Sequence, residues 1–223
     1  DYDVTGVQTC ALPISSNPEK GDWDKIWLNS TSTTFDADDN YVSGTIFNHC
    51  IISHAVEGLR IDDGSFYIAN STLSSNSKGI NFRKVSNSII YNNDFTNNYE
   101  GTSTSAGTED NGVGSFTYNK ILNNTFQNND SYGFSFGGYR NNANNNTIKG
   151  NISKNNGGDG MYFQWGDVVR GFADNTLEAN ILYNNTGNGI TIGRDSNILR
   201  KKIIIDNGGK GINISGTYIF EGL

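Results

Sequence analysis

At 223 residues, with 35% hydrophobic and 17% charged side chains, 27 glycines and 2 prolines, the chain is polar for a globular protein yet too aromatic for a disordered one. A net charge of −7 and a pI near 4.7 exclude a general nucleic-acid or anionic-membrane partner, because both demand a basic face. A polyanionic ligand would need a local basic patch, and no apolar run of about 18 residues is present to cross a bilayer.

In chain order, Val4 to Ile14 read VTGVQTCALPI and resemble a translated sequencing-library adapter, so residues 1–14 are set apart as an artefact. Any leader is then unobservable, a fragment is expected at both ends, and Cys50 stands without a disulfide partner. Residues 15–40 form a leading segment or first partial rung, and 41–223 the repeat domain. Within the leading segment FDADDNY partly matches a calcium loop through Asp36, Asp38 and Asn40. Tyr41 stands where the turn glycine belongs and Phe47 where the bidentate glutamate does, so the match is weak and no cofactor or metal is assigned.

From residue 41 onward the chain repeats. A turn column reads His54, Asn76, Asn98, Asn129, Asn156, Asn185 and Asn207, with steps of 22, 22, 31, 27, 29 and 22 residues. Shortly after most turns a glycine opens an alternating strand: GLRI at Gly58, GINF at Gly79, GFSF at Gly133, GMYF at Gly160, GITI at Gly189 and GINI at Gly211. In the irregular rung Gly112 of NGVGSF is the expected equivalent. Three residues before each turn lies an apolar column, Ile51, Leu73, Phe95, Phe126, Leu182 and Ile204, interrupted by Ser153. Such units, each with two or three short strands, cannot bury their own apolar side chains, but stacked like on like they make a continuous core. About seven rungs at one strand spacing each give a column of roughly 34 Å. Corner asparagines tolerate left-handed backbone angles, and their amides can pair from rung to rung. His54 sits in the turn column and His49 at the position of Asn124, so both histidines read as turn residues.

The repeat N-x-I-x-x-N followed by G-I-x-I, best seen in NTFQNNDSYGFSF and NILYNNTGNGITI, resembles the right-handed parallel β-helix proteins of the pectate-lyase-like superfamily. The resemblance spans Tyr41 to Gly216. It implies an all-β, single right-handed parallel β-helix and leaves function open, since that superfamily holds lyases, hydrolases, epimerases, adhesins and tailspikes.

Strand parity sends Phe82, Phe134, Phe136, Met161, Phe163, Ile190, Ile192, Ile212 and Ile214 inward. Outward columns then read Arg60, Asn81, Gly114, Ser135, Tyr162, Thr191, Asn213 and Asp62, Arg83, Phe116, Gly137, Gln164, Gly193, Ser215. The extra residues of the three long steps fall on consecutive rungs: the first insertion precedes its strand and the other two follow theirs. Together the last two bring Tyr139, Arg140, Trp165, Asp167 and Arg170 beside Tyr162 and Gln164, rings and planar polar groups suited to sugar faces and carboxylates. The bland reading makes these rings loop cover and Asp167 an ion-pair partner.

A second cluster holds Arg60, Asp62, Asp63, Arg83 and Lys84. Here GINFRKVSNSIIYNNDF loosely resembles the lysine-bearing segment of the alginate lyase and chondroitinase B family, which implies Lys84 as the proton-abstracting base and Arg83 as its assistant. That family's following arginine segment and calcium-binding glutamates have no counterpart. An open basic cleft would favour this reading and salt bridges a merely solvated face. Neither Asp62 with Asp63 nor Glu109 with Asp110 makes a hydrolytic pair, because neighbours on a strand face opposite ways.

The expectation is an exported or cell-surface module that binds or processes polysaccharide, held by the long loops of the middle rungs. If it is an enzyme, it is a lyase of a uronic-acid polymer. The alternative is a non-catalytic structural or adhesive solenoid. Nucleic acid and membrane insertion are not expected, and the oligomeric state is not encoded in any feature recognised.

Overall fold

The computed structural model describes residues 17–104, 114–136, 142–163, 172–193 and 196–222. The chain winds into a parallel β-helix whose regular turns carry four short strands, where the sequence pattern predicts two or three. The first sheet stacks Trp23–Leu28, Ala55–Ile61, Lys78–Phe82 and Glu100–Thr104, and continues through Phe134–Phe136, Met161–Phe163, Ile190–Gly193 and Ile212–Ser215. The second stacks Lys84–Ser86, Ser115–Thr117, Asn142–Asn144 and Phe172–Ala173. The third has eight strands, from Ile46–Asn48 to Tyr218–Glu221, and the fourth seven, from Ile51–Ser53 to Ile203–Ile205. Pairing within these sheets is parallel and in register, as in Phe95 beneath Phe126 and Ile90 beneath Ile121. One antiparallel pair, Thr33–Phe35 with Tyr41–Gly44, packs outside the third sheet, Tyr41 stacking on Tyr67.

Three of the four corners are held along most of the stack by buried asparagine ladders. Between the fourth and first sheets, Asn98 Oδ1 accepts the Asn76 backbone N–H at 2.9 Å and the Asn76 side-chain amide at 3.1 Å, while Asn98 Nδ2 donates to Leu73 O at 2.9 Å. The same contacts recur through Asn129, Asn156, Asn185 and Asn207. A second ladder, between the third and fourth sheets, runs through Ser71, Asn93, Asn124, Asn151 and Asn180. A third, between the second and third sheets, runs through Ser88, Asn119, Asn146, Asn175 and Asn197. The left-handed backbone falls on the residue before each ladder position, as in Asn97 (φ 57°), Asn128 (54°) and Asn184 (54°). Each Asn-Asn pair therefore divides its work: the first residue bends the chain and the second satisfies buried backbone groups.

This division shifts the register predicted for the first turn. His54 (φ 64°) is the bending residue, and Ala55 occupies the ladder position, donating its N–H to Asn76 Oδ1. Likewise His49 (φ 55°) bends, and Cys50 N–H reaches Ser71 Oγ. Ile52 rather than Ile51 enters the apolar column beneath Leu73. The irregular rung is also corrected: Gly101, not Gly112, continues the glycine column, because a Cβ there would lie 2.2 Å from Gly133 O. Ser103 rather than Gly114 stands over Asn81, so the first insertion follows its strand as the other two do.

Phenylalanines stack along the interior. Phe95 and Phe126 lie 4.8 Å apart, Phe82 and Phe116 4.8 Å, Phe116 and Phe136 5.1 Å, and Phe163 and Phe172 3.9 Å. Phe116 thus belongs to the core and not to an outward column. Ser153 is accommodated in that core because its hydroxyl donates to Gly160 O at 2.7 Å and accepts from Asn156 Nδ2 at 3.1 Å. On the last turn Ile214 is exposed where parity predicts burial, since among the described residues no further turn covers it.

The second ladder ends on a misfit. Lys202 follows the left-handed Lys201 and donates Nζ to Leu177 O at 2.6 Å, copying the Asn180 amide on Ile148 O. It offers no acceptor to the Asn180 backbone N–H, and burial pushes its pKa down to about 7, with Arg200 adding to the shift and Glu178 opposing it. The unfolded chain then binds the extra proton between pH 7 and the ordinary lysine range, so this group's penalty shrinks as pH rises through that window. Lys202→Asn is expected to raise stability in denaturant titrations at pH 7, with an advantage that narrows toward pH 10. Asn98→Ala, which strands a backbone N–H and a carbonyl, should cost about 2–5 kcal/mol, whereas Asn97→Gly at the bend should change stability by less than about 1 kcal/mol.

Candidate functional site

The fourth corner, between the first and second sheets, has no asparagine ladder, and it carries a cleft of about 490 Å³. Register builds its first wall. Trp27 pairs with Arg60 and Arg60 with Asn81, which places the indole and the guanidinium on one outward column. Asp62 and Asp63 carry the chain out of the first sheet to Gly64, which bridges Val85 of the second sheet, and one turn later Arg83 carries it from Phe82 to Lys84. Gly64 permits the tight passage at this corner: its φ is 113°, and a Cβ there would lie 1.9 Å from Thr31 O. Because residues 62 and 63 lie in this bend rather than on a strand, both carboxylates open onto the cleft, against the expectation that they face opposite ways.

Asp62 organises the wall. It accepts the Trp27 indole N–H at 2.8 Å and Arg60 Nε at 2.7 Å, and lies 3.9 Å from the Arg83 guanidinium. Beneath, buried Glu57 pairs with Arg60 at 3.7 Å and with Lys25 and Lys78 at 3.9 Å. Burial works against the charge on Arg60, but the hydrogen bond and charge of Asp62, joined by Glu57, outweigh it and raise its pKa. Lys25, Arg60, Arg83 and Lys84 against Asp62 and Asp63 leave the lining at 4 − 2 = +2, on a chain whose net charge is −7. The indole of Trp27 is 58% exposed, a flat apolar face set beside these cations.

Of the sequence-predicted site residues, Arg83 and Lys84 both line this cleft, which is open and also holds the Asp62 ion pairs. Tyr162 lies farther along the first sheet, stacked on Tyr132 at 4.4 Å and 6°. Burial raises both phenol pKa values, as does the Asp159 carboxylate, which is pinned by the Thr191 hydroxyl at 2.5 Å. Tyr139, Arg140, Gln164, Trp165, Asp167 and Arg170 lie outside the described residues. Trp27, Lys25 and Asn29 join the cleft from the leading segment, outside the repeat register that marks the other residues. The strand-like run WDKIWLN was the available signal. In the FDADDN turn, Asp36 accepts Asn40 N–H at 2.8 Å and Asp38 N–H at 2.9 Å, and these bonds, the Asn40 side chain foremost, lower its pKa. Its carboxylate caps the turn. No group of three metal-binding side chains occurs among the described residues.

The sequence matches the family model described as right-handed beta helix region over residues 26–165 and 112–219, and the chain belongs to this family. Solved structures agree on the fold. A point mutant of the periplasmic alginate epimerase AlgG superposes with a TM-score of 0.60 at 18% identity, covering 91% of this chain and 48% of that one. An AlgG double mutant gives 0.57 at 16%, with the same coverage. The A-module of the Azotobacter vinelandii mannuronan C-5 epimerase AlgE4 gives 0.45 at 12%, covering 87% of this chain and 65% of that module. The chain thus spans about half the length of the AlgG structures. No curated protein matches the sequence.

Asp62 should organise this wall. Asp62→Ala is expected to shift the Trp27 indole N–H resonance in proton–nitrogen NMR spectra and to lower stability by about 1–3 kcal/mol, because the Trp27 and Arg60 donors lose their acceptor at a position only 11% exposed. An unmoved indole signal would show that Asp62 does not hold the ring.

Proposed function

We propose that the chain binds an acidic polysaccharide outside the cytoplasm and takes a uronate unit into the cleft between the first and second sheets. The observation that carries this reading is the local +2 lining, with an oriented indole, on an otherwise acidic protein. A uronate offers two matching features: a carboxylate for Arg83 and Lys84, and a sugar face for Trp27. The AlgG structures that share the fold are named for alginate and for the periplasm, which agrees with such a ligand and location. The middle-rung patch around Tyr139 and Trp165 lies outside the described residues, so the cleft is the surface on which the proposal stands.

A lyase reading has one observation in its favour: Arg83 and Lys84, successive in sequence, both open onto the cleft. In that reading Arg83 pairs with the uronate carboxylate and Lys84 removes the proton beside it. The electron pair released forms the carbon–carbon double bond as the glycosidic C–O bond breaks and the leaving sugar oxygen takes up a proton. The unsaturated product absorbs in the ultraviolet.

Titration calorimetry with polyuronates and a neutral glucan tests both readings. Polyuronate binding that weakens with salt, and about tenfold (roughly 1.4 kcal/mol) in Trp27→Ala or Lys84→Ala, is the expected result. Ultraviolet absorbance that grows with a polyuronate and disappears in Lys84→Ala would add the lyase activity. Absence of binding to every polyuronate would overturn the proposal in favour of a structural solenoid.

A further inference from the structure

On another side of the helix, at the corner between the third and fourth sheets, lies a groove of about 400 Å³. Its rims are two register columns. Thr72, Asp94 and Thr125 form one, stacked by strand pairing, and Asn70, Asn92 and Asn123, at or beside the left-handed bend, form the other. Along each rim the polar groups recur at one strand spacing, about 4.8 Å. The floor is Ser71 and Asn93, whose groups are already engaged in the buried ladder.

The rims have hydrogen-bonding capacity to spare. Asn92 donates Nδ2 to Asn70 Oδ1 at 2.8 Å, which fixes that carboxamide on the exposed rim. Gln127 donates its amide to both Asp94 oxygens, at 3.1 and 3.2 Å. A carboxylate can accept roughly four hydrogen bonds, so Asp94 retains about half of its capacity. Burial pushes the Asp94 pKa up, against the Gln127 amide and the Lys154 charge, which marks a partly desolvated position. Asp94 is the one carboxylate in the lining, which holds a single imidazole, His49, and no lysine, arginine, Phe, Tyr or Trp.

We propose that this groove is a second carbohydrate site, which takes the hydroxyl edge of a neutral saccharide. Three features select that class. An anionic sugar meets Asp94 with no lining lysine or arginine to receive its charge, and an apolar ligand meets no apolar wall. A vicinal diol both donates and accepts: it gives hydrogen bonds to Asp94 and receives them from the carboxamides and threonine hydroxyls. Without an aromatic platform the affinity falls in the millimolar range. This site is independent of the uronate cleft and differs from it in charge, in lining and in the sheets that form it.

Saturation-transfer NMR and titration with maltotriose, mannotriose and cellotriose on the full chain test the assignment. At least one trisaccharide is expected to bind with a millimolar dissociation constant, weakened tenfold or more in Asp94→Ala and unchanged in Lys84→Ala. Asn92→Asp keeps a residue that tolerates the left-handed bend and adds a charge opposite Asp94. It should weaken binding similarly with an unchanged circular dichroism spectrum, so it carries the test if Asp94→Ala does not fold. Failure of all three sugars to bind at millimolar concentration, or binding indifferent to both groove variants, overturns the proposal. Loss of neutral-sugar binding in Lys84→Ala would equally overturn it, by placing the sugar in the cleft.

Discussion

A parallel β-helix must solve one problem before any other: at each corner the chain turns inside the stack, and its N–H and C=O groups lose water without gaining a sheet partner. Leaving such a group unpaired costs about 1–3 kcal/mol, a large share of a domain's net stability. Asparagine solves this with a side chain that is itself a peptide amide. Its oxygen takes the corner N–H of the neighbouring turn and its nitrogen fills a carbonyl there, as Asn129 does with Asn98 N–H and Phe95 O. The ladder fixes the relative height of neighbouring turns, and with it the register of every phenylalanine in the core.

Where the ladders run, the length of a turn cannot vary, since one added residue would take the amide out of line. The three long steps are placed accordingly. The intervals 105–113, 137–141 and 164–171 all fall between a first-sheet strand and a second-sheet strand, at the one corner without a ladder. The cleft of Trp27, Arg60, Arg83 and Lys84 occupies the same corner. Structural constraint and room for chemistry are therefore separated around the cross-section, with three corners held by amides and the fourth left to loops, charges and exposed rings. The neutral groove rests on the outer side of a laddered corner, where only the bending residue and the strand rims remain available to a ligand.

The architecture was legible because a stack repeats its demands. Glycines at the first sheet recur because a Cβ would meet the carbonyl of the next glycine, 2.6 Å from Gly79 O for Gly58 and 2.6 Å from Gly211 O for Gly189. Legibility failed where a rung met a demand by other means. Glu100–Thr104 hides its place because Thr102, not an aliphatic residue, faces inward, and its hydroxyl receives Ser135 N–H at 3.0 Å in place of a regular ladder bond. The first turn slipped by one residue because Ala55 and Cys50 take ladder positions using only their backbone N–H, leaving no amide in the sequence to mark them. The site was half legible: Arg83 and Lys84 stand in one visible cluster, whereas Trp27 reaches them only through the pairing of Trp23–Leu28 with Ala55–Ile61.

The charge arrangement explains how an acidic chain can present a cationic cleft. Arg60 does not stand alone in solvent; it is held between Asp62 at the surface and Glu57 below, and Lys25 and Lys78 share the buried glutamate. Fixing these long side chains in advance reduces the rotamer entropy lost when a ligand carboxylate arrives. For the proposed polyanionic ligand, the negative charge carried by the rest of the protein would favour approach at this corner over the other faces. Asp62 compensates part of the positive charge, and it also holds the Trp27 indole at the cleft through a single hydrogen bond. On the proposed reading, selectivity rests on geometry as well as charge, because a ligand would gain the whole site only if its carboxylate and sugar face were spaced as Lys84 and the Trp27 ring are.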